Sequence, residues 1–534
     1  MKLTYDPQNE HDACGVGMVA NLDAQPTNQT VLDALSILEN LEHRGASGAD
    51  PDSGDGAGIL LQLPHDFLKE VFSSDGLTLP EAGGYGIGQW MLTKGWADEQ
   101  KMDIAAAFEQ FGLDVAGWRD VPVDSSILGK ASAATEPLHS MALVKPLESI
   151  STDDLELRLY LARRRASEIT GAYAASCSAR TMIYKGMLTS TQLRRYFSDL
   201  RDPRLASAIA LVHSRFSTNT FPQWNLAQPF RYIAHNGEIN TVRSNRAWMA
   251  ARESHLISPR WKDSADYTPV ITPNMSDSAS FDEVAEMLYL HGRTLPHSIL
   301  MMIPEAWERA TGMEPAKRDF YRYHGSLMEA WDGPASVSFC DGIRVGAVLD
   351  RNGLRPARYW VTKDRRVIFA SEVGVLPIEP ANIASKGRLR PGRMFLVDLE
   401  RGEIVGDDEI KGSLATAQPY GEWLAGSQFD LDDLPPKPML VPEHDSLLRH
   451  QHLFGYSEEE IRLILSPMAA NGEEPIGSMG SDSPIAALSA RPRAFFDFFV
   501  QQFAQVTNPP LDAIREELVT AIRVGIGPHR NLLD

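Results

Sequence analysis

The sequence predicts an α+β protein, with sheets and flanking helices over about residues 14–410 and a helical segment after that. Three observations carry the prediction. Short apolar runs of strand character alternate with segments of helical period from Cys14 onward. In the later part of that region the runs come in pairs joined by Asp-Gly or charged turns. A proline-rich acidic stretch, FDLDDLPPKPMLVPEHD (429–445), then intervenes and the pattern becomes helical.

The first elements read strand (CGVGMVANL), helix (TVLDALSILENLEHRG), glycine-rich turn (GASGADPDSGDGAG), strand (GILLQLP) and helix (HDFLKEVF). The middle gives strands at ARTMIYKG, SAIALVHSRFS and FRYIAHNGEIN, then a helix over about 279–291. Paired strands follow in PASVSFCDGIRVGAVLD, YWVTKDRRVIFAS and RMFLVDLERGEIVG. Beyond the linker, YSEEEIRLILSP carries a capping box at Ser457 and Glu460, and Pro467 is expected to stop that helix. The run LARRR (161–165) ends an amphipathic helix with Leu155, Leu159 and Ala162 on one face, and reads as a solvated basic face.

A chain of 534 residues exceeds what one core supports. Its 43% hydrophobic and 23% charged content is that of an ordinary globular protein, and no run is long enough for a membrane span or a secretory signal. Cys14, Cys177 and Cys340 are odd in number and far apart, which argues against a disulfide framework or a CxxC metal site and for a reducing, cytoplasmic setting. The net charge of −20 repels nucleic acid and anionic membranes, so neither is expected as a partner.

Candidate chemistry gathers in a few places. Cys14 stands at the foot of the first strand behind a thirteen-residue leader. It is either a small buried hydrophobe or, if residues 1–13 are removed, a new N-terminal nucleophile. Arg215 lies at a strand end, and either pairs an ion at the surface or grips an anion. Asn236-Gly237 leaves a strand as a turn pair, where a side-chain amide and the next N–H can point the same way, as two oxyanion donors should. Asp277 sits just before a helix, with Ser280 and Glu283 placed for a capping box. His213 and His235 fall within strands, where buried histidines are usually satisfied core groups. The glycine-dense stretch 41–60 can approach a ligand closely, but it runs from helix to strand, the reverse of a Rossmann turn.

Taken together, CGVG after a short leader, HRG, HSRFSTNTFPQWNLAQPFRYIAHNGEINT and SDSASFD resemble the class II (N-terminal nucleophile) glutamine amidotransferase domain. WRDVP, WDGPASV, LDRNGLRPARY, ASEVGV, IGSMGSDSPIA and FAQVTNPPLDAIREE are similar to the large subunit of glutamate synthases, and the likeness runs from about residue 10 to the end.

The resemblance implies a four-layer αββα N-terminal-nucleophile hydrolase fold followed by a partial α/β central domain. It divides the chain into a cleaved propeptide (1–13), a glutaminase domain (14–428), a linker (429–445) and the start of a central domain (446–534). It implies Cys14, Asn236 and Gly237 as catalytic residues, and Arg215, Asp277 and His235 as contacts to L-glutamine. FMN and an iron–sulfur cluster are expected in a later portion of the full enzyme, not in this chain. The remainder of that enzyme and a small NADPH-oxidising subunit are the expected partners, and the ammonia released would make glutamate from 2-oxoglutarate. IGSMGSDSP and FAQVTNPPLD are candidates for the surface that couples the two chemistries. Rival readings are an idle scaffold fragment or another class II amidotransferase, against which the absence of a phosphoribosyl-binding segment counts. A papain-type hydrolase would need its cysteine on a helix.

Overall fold

A computed structural model describes residues 14–45, 50, 52–215, 222–438, 441 and 443–472, with scattered residues beyond (475, 490, 492, 519, 525–527 and 530–533). The chain divides into two compact units, Met1–Glu422 with Ala521–Asp534, and Trp423–Thr520.

The first unit is built on two antiparallel sheets. The larger has the order β14 (Ile383–Arg388), β12 (Arg358–Thr362), β13 (Arg366–Ala370), β1 (Gly15–Asn21), β8 (Ile209–Ser214), β2 (Ala57–Gln62), β7 (Thr181–Gly186). The second has the order β16 (Glu403–Val405), β15 (Met394–Asp398), β11 (Arg344–Leu349), β10 (Ala335–Cys340), β9 (Ile233–Gly237). Strand side chains alternate between faces. Thus Val16, Met18 and Ala20 of β1 join Leu60, Leu211 and Phe369 in one core with Ala234, Val345, Ala347 and Val397 of the second sheet. The two sheets therefore pack face to face.

On the other side of the larger sheet, Val19, Ile59, Leu61, Ala210 and Val212 meet the helix Asn28–Asn40 through Val31, Leu35, Ile37 and Leu38. Gly17 explains the close fit, since a Cβ there would lie 2.3 Å from Ile37 Cγ2. Beside the second sheet runs the helix Asp277–Leu290, whose buried Asp282 accepts the backbone N–H of Arg231, Tyr232 and Ile233 at the entrance to β9. The layers run helix, sheet, sheet, helix, and every strand read from the sequence is present.

A further four-stranded sheet has no counterpart in the sequence reading: β4 (Leu113–Asp120), β5 (Leu138–Pro146), β3 (Gly86–Leu92), β6 (Tyr173–Ser178). Strand β3 is buried at all seven positions and β6 at all but its first, so neither shows the alternation that marks a half-exposed strand.

Three local expectations are corrected. The basic run 161–165 does not end its helix, which continues over Thr152–Thr170 to a left-handed cap at Gly171, nor is it a uniformly solvated face. Arg163 is 4% exposed and its Nη2 donates to Glu286 Oε2 at 2.7 Å, and Arg164 donates to the Val270 carbonyl; Arg165 alone is well exposed. The cap of Asp277–Leu290 is Ser276, whose hydroxyl accepts from Ala279 N (3.1 Å), not a box of Ser280 and Glu283. Ser280 lies inside the helix, and the Glu283 carboxylate instead accepts from the Thr272 N–H and hydroxyl.

In the second unit the helix His444–Leu453 precedes the capping box at Ser457 and Glu460, which forms as expected. Pro467 does not stop the helix there. A π-helical stretch, Ile461–Leu465, precedes it, and the chain continues as a helix over Ser466–Asn471. The proline lies just after that π-helical stretch, a local widening that accommodates a residue whose ring and missing N–H would break a regular α-helix. The regular structure described in this unit is all helical, and its apolar side chains Leu453 (76%) and Phe454 (72%) are exposed.

Candidate functional site

Four element ends converge at one edge of the sheet sandwich. Cys14 precedes β1, whose Gly15 pairs with Ser214 at the end of β8, and Arg215 comes next along that strand. Asn236 and Gly237 end β9, and Asp277 opens the helix Asp277–Leu290. Antiparallel pairing of β1 with β8 brings Cys14 and Arg215 together, although they are two hundred residues apart in the chain.

Cys14 is 7% exposed, and burial pushes its thiol pKa up. Arg215 and then Arg355 oppose that rise as nearby positive charges, Asp277 adds to it, and the Gly237 N–H lowers it by hydrogen bonding. Four of the chain's groups thus act on one sulfur. Burial is the largest cause for the other two cysteines as well: Cys177 is pushed up to about 12, with Arg163 and Arg231 opposing the rise and Glu156 and Glu286 adding to it, and Cys340 is raised with Asp341 adding.

Arg215 is held in an uncommon conformation, with φ +83° and its N–H bonded to the Gly56 carbonyl at 2.7 Å. Left-handed backbone in a branched-free but bulky residue is costly and persists where the surroundings enforce it. The side chain is itself buried, with Nε 4.0 Å from Asp55 Oδ2.

Gly237 is the position where only glycine fits. Its φ is +135°, and a Cβ would lie 1.9 Å from the Pro334 carbonyl oxygen. Beside it, the Asn236 amide is 2% exposed and its Oδ1 has no hydrogen-bond partner among the described residues. An acceptor left unpaired in a core is uncommon, but the part of this side chain that could serve an oxyanion is its NH2 donor, on the other side of the same amide. With the Gly237 N–H next to it, the pair can stabilise an oxygen that becomes negative beside Cys14.

The Asp277 carboxylate is fixed on both oxygens: Oδ2 accepts the Ile239 N–H (2.9 Å) and Oδ1 the Ser278 N–H (2.7 Å). An ionised carboxylate has lone pairs beyond those two, so it can still accept from a cationic ligand. His235 is tied in from several sides. Its N–H donates to Gln228 Oε1 (2.7 Å), its carbonyl lies 3.0 Å from His213 Nε2, and its Nδ1 lies 2.8 Å from Ser278 Oγ. Burial lowers the pKa of both histidines, that of His213 to about 3, so both are neutral; His235 Nε2 has no partner among the described residues.

The structure therefore brings all six residues singled out from the sequence to one place, His235 being anchored behind Asp277 through Ser278. Residues 46–49, 51 and 216–221, parts of the glycine-dense and SRFSTNT stretches, lie outside the described residues, as do 1–13, IGSMGSDSP and FAQVTNPPLD. Arg355, whose charge reaches both Cys14 and His235, was not singled out. It lies in LDRNGLRPARY, and nothing in that string says which way its guanidinium turns.

Residues 14–423 match the family "Glutamine amidotransferases class-II", and residues 449–534 match "Glutamate synthase central domain". The chain is 44% identical to the "Glutamate synthase [NADPH] large chain" of Bacillus subtilis (strain 168), over 99% of this chain and 35% of that protein. It is 43% identical to "Ferredoxin-dependent glutamate synthase 2, chloroplastic" of Arabidopsis thaliana (98% and 33%) and 44% identical to "Glutamate synthase [NADH]" of Saccharomyces cerevisiae (99% and 26%). The chain thus spans about a quarter to a third of the length of these curated relatives.

Proposed function

The chain belongs to the class-II glutamine amidotransferases, and from that membership we propose that it hydrolyses L-glutamine to glutamate and ammonia through a thioester on Cys14. The observation that carries the reading is the convergence of Arg215, Asp277 and the Gly237 N–H on one buried sulfur.

In this reading residues 1–13 are removed and Cys14 becomes the first residue. The reason is the supply of a base. A thiol with pKa about 8.5 is mostly protonated at neutral pH, and burial raises that of Cys14 further, whereas an α-amine titrates near 7.7–8.0. The freed α-amine takes the thiol proton, directly or through water. The sulfur then attacks the carboxamide carbon, and the carbonyl oxygen becomes an oxyanion held by the Asn236 amide and the Gly237 N–H. Collapse of that intermediate breaks the C–N bond, and the proton passes to the departing ammonia. Water next attacks the thioester, releasing glutamate and restoring the thiol.

Arg215 pairs the substrate's α-carboxylate, for which a guanidinium supplies two parallel donors. Asp277 accepts from the α-ammonium, held ready by the Ile239 and Ser278 N–H groups. His235, neutral and with Nε2 unpaired, is the further contact.

For the longer enzyme we propose that the ammonia reacts with 2-oxoglutarate and that the product is reduced to a second glutamate, in keeping with the relatives' name. No group of three or more His, Cys, Asp or Glu among the described residues is placed to hold a metal ion. From the likeness to glutamate synthases, and not from that absence, we propose that an iron–sulfur cluster and FMN belong to the longer enzyme, with the small NADPH-oxidising subunit as partner. No described helix is long and apolar enough to cross a membrane; a cytoplasmic setting is proposed on the three unpaired cysteines.

The test joins intact mass to a glutaminase assay. Protein beginning at Cys14 should release ammonia from glutamine, and protein retaining residues 1–13 should not. Equal turnover by both forms would overturn the role of the freed amine.

A further inference from the structure

We propose that the loop 350–355 buttresses the oxyanion turn and that Arg355 is a positioning residue, fixing the Pro334 carbonyl against Gly237 and setting a second guanidinium charge near the Cys14 sulfur; the proposal rests on the glutaminase reading above.

The oxyanion turn is laid on the segment 332–335. Gly237 pairs with Ala335, the Thr241 N–H donates to the Asp332 carbonyl (3.2 Å), and the Asp332 N–H donates back to Thr241 Oγ1 (2.9 Å). That segment is gripped in turn by the loop. The Asp350 N–H donates to the Ala335 carbonyl (2.9 Å), Arg351 Nη2 to Asp332 Oδ2 (2.8 Å) and Arg355 Nε to the Pro334 carbonyl (3.1 Å). The loop has its own pin, because the buried Asp350 carboxylate accepts the N–H groups of Asn352 (2.8 Å) and Gly353 (3.2 Å). Residues 332, 334 and 335 are thus each held by a different group of the loop.

Pro334 is the critical point of this chain of contacts. Its carbonyl oxygen is the atom that a Cβ at position 237 would strike, so its place sets how Gly237 lies and hence where its N–H is aimed. Arg355 makes no other hydrogen bond or ion pair among the described residues, which leaves its two terminal nitrogens uncommitted. Its charge acts on Cys14, second only to that of Arg215 among the groups that favour thiolate, and it acts on His235 as well. A side chain that both holds the turn and favours the anionic sulfur contributes to the step in which charge moves from sulfur to oxygen.

The experiment compares R355Q and R355K with wild type, each beginning at Cys14. It reads kcat and KM for glutamine, thermal unfolding, and the pH midpoint for alkylation of Cys14 by iodoacetamide without substrate. R355Q should lower kcat about 10- to 100-fold with little change in KM, and should move the alkylation midpoint upward by about half a pH unit or more. R355K should restore the midpoint, since the charge is kept, while recovering only part of kcat, since the Nε–H bond to the Pro334 carbonyl is lost. The proposal is overturned if folded R355Q keeps the wild-type kcat and alkylation profile, or if its only change is a higher KM, which would make Arg355 a substrate clamp. Should R355Q fail to fold, a wild-type kcat in R355K would overturn the positioning role. Wild type that alkylates normally but releases no ammonia would defeat the glutaminase reading instead, because the alkylation profile is read without glutamine.

Discussion

The sheet sandwich and the helices of residues 443–472 treat apolar side chains in opposite ways. Val19, Leu60, Leu211 and Val397 are fully buried between layers, whereas Leu453, Phe454 and Leu463 stand largely in solvent. The difference shows where chemistry can be built. Holding an amide, an N–H and two opposite charges around one sulfur needs backbone that cannot relax, and the strand ends of a packed sandwich supply it. Helices without a buried face cannot, and the larger part of their stability must come from elsewhere.

That contrast breaks first at Gly237. G237A should lower glutaminase turnover by at least about 100-fold, the scale of losing one oxyanion donor, because the added Cβ cannot coexist with the Pro334 carbonyl and the backbone conformation favours glycine. The comparison with N236A, which removes a donor without moving the backbone, sharpens the point: it should lose activity on a similar scale while unfolding at the wild-type temperature. An N236A protein with undiminished kcat would remove the Asn236 amide from the oxyanion hole.

Most of the sandwich was legible in the sequence, for a physical reason. Strands such as β10 and β11 are joined through the Asp-Gly at 341–342, and tight turns between apolar runs declare a hairpin locally. The four-stranded sheet was not legible, because β3 and β6 are buried on both faces and rich in Gly, Ala and Ser, so neither alternation nor propensity marks them. Within the site, Cys14, Arg215, Asn236, Gly237 and Asp277 carry motifs at element ends. Arg355 acts through a loop whose contacts to residues 332–335 appear only when two strands are paired, and no local pattern encodes that.

The misread basic run offers the next test. Arg163 is buried against Glu286, with Arg231 as a more distant partner at 3.9 Å, while Arg165 is exposed. R163A leaves a carboxylate inside the protein without its close cation and should destabilise by about 3–5 kcal/mol in denaturant unfolding. R165A should change stability by less than about 0.5 kcal/mol. Equal effects would return the whole run to the solvated face.

A smaller effect follows from His213, which is fully buried and whose pKa is lowered from 6.5 to about 3 by burial. A histidine depressed in the folded state binds fewer protons there than in the unfolded chain at any pH between those two values. Its contribution is therefore complete above about pH 6.5 and declines as pH falls toward 3, by at most about 1.4 kcal/mol per pH unit. Denaturant unfolding of H213Q should lose less stability than wild type between pH 7 and pH 5. Parallel pH profiles for the two proteins would show that His213 is not held neutral.

The smallest effect belongs to the exposed helices. Leu453 and Phe454 contribute almost no buried area among the described residues, so replacing both by serine removes little from water that was not already in it. The double variant should retain the glutaminase kcat of wild type and shift stability by no more than about 0.5 kcal/mol. It should also reduce binding of a hydrophobic dye, since contiguous exposed apolar surface is what such dyes report. A large loss of stability instead would mean that these side chains are packed in solution, and the contrast between a buried sandwich and an open helical segment would no longer hold.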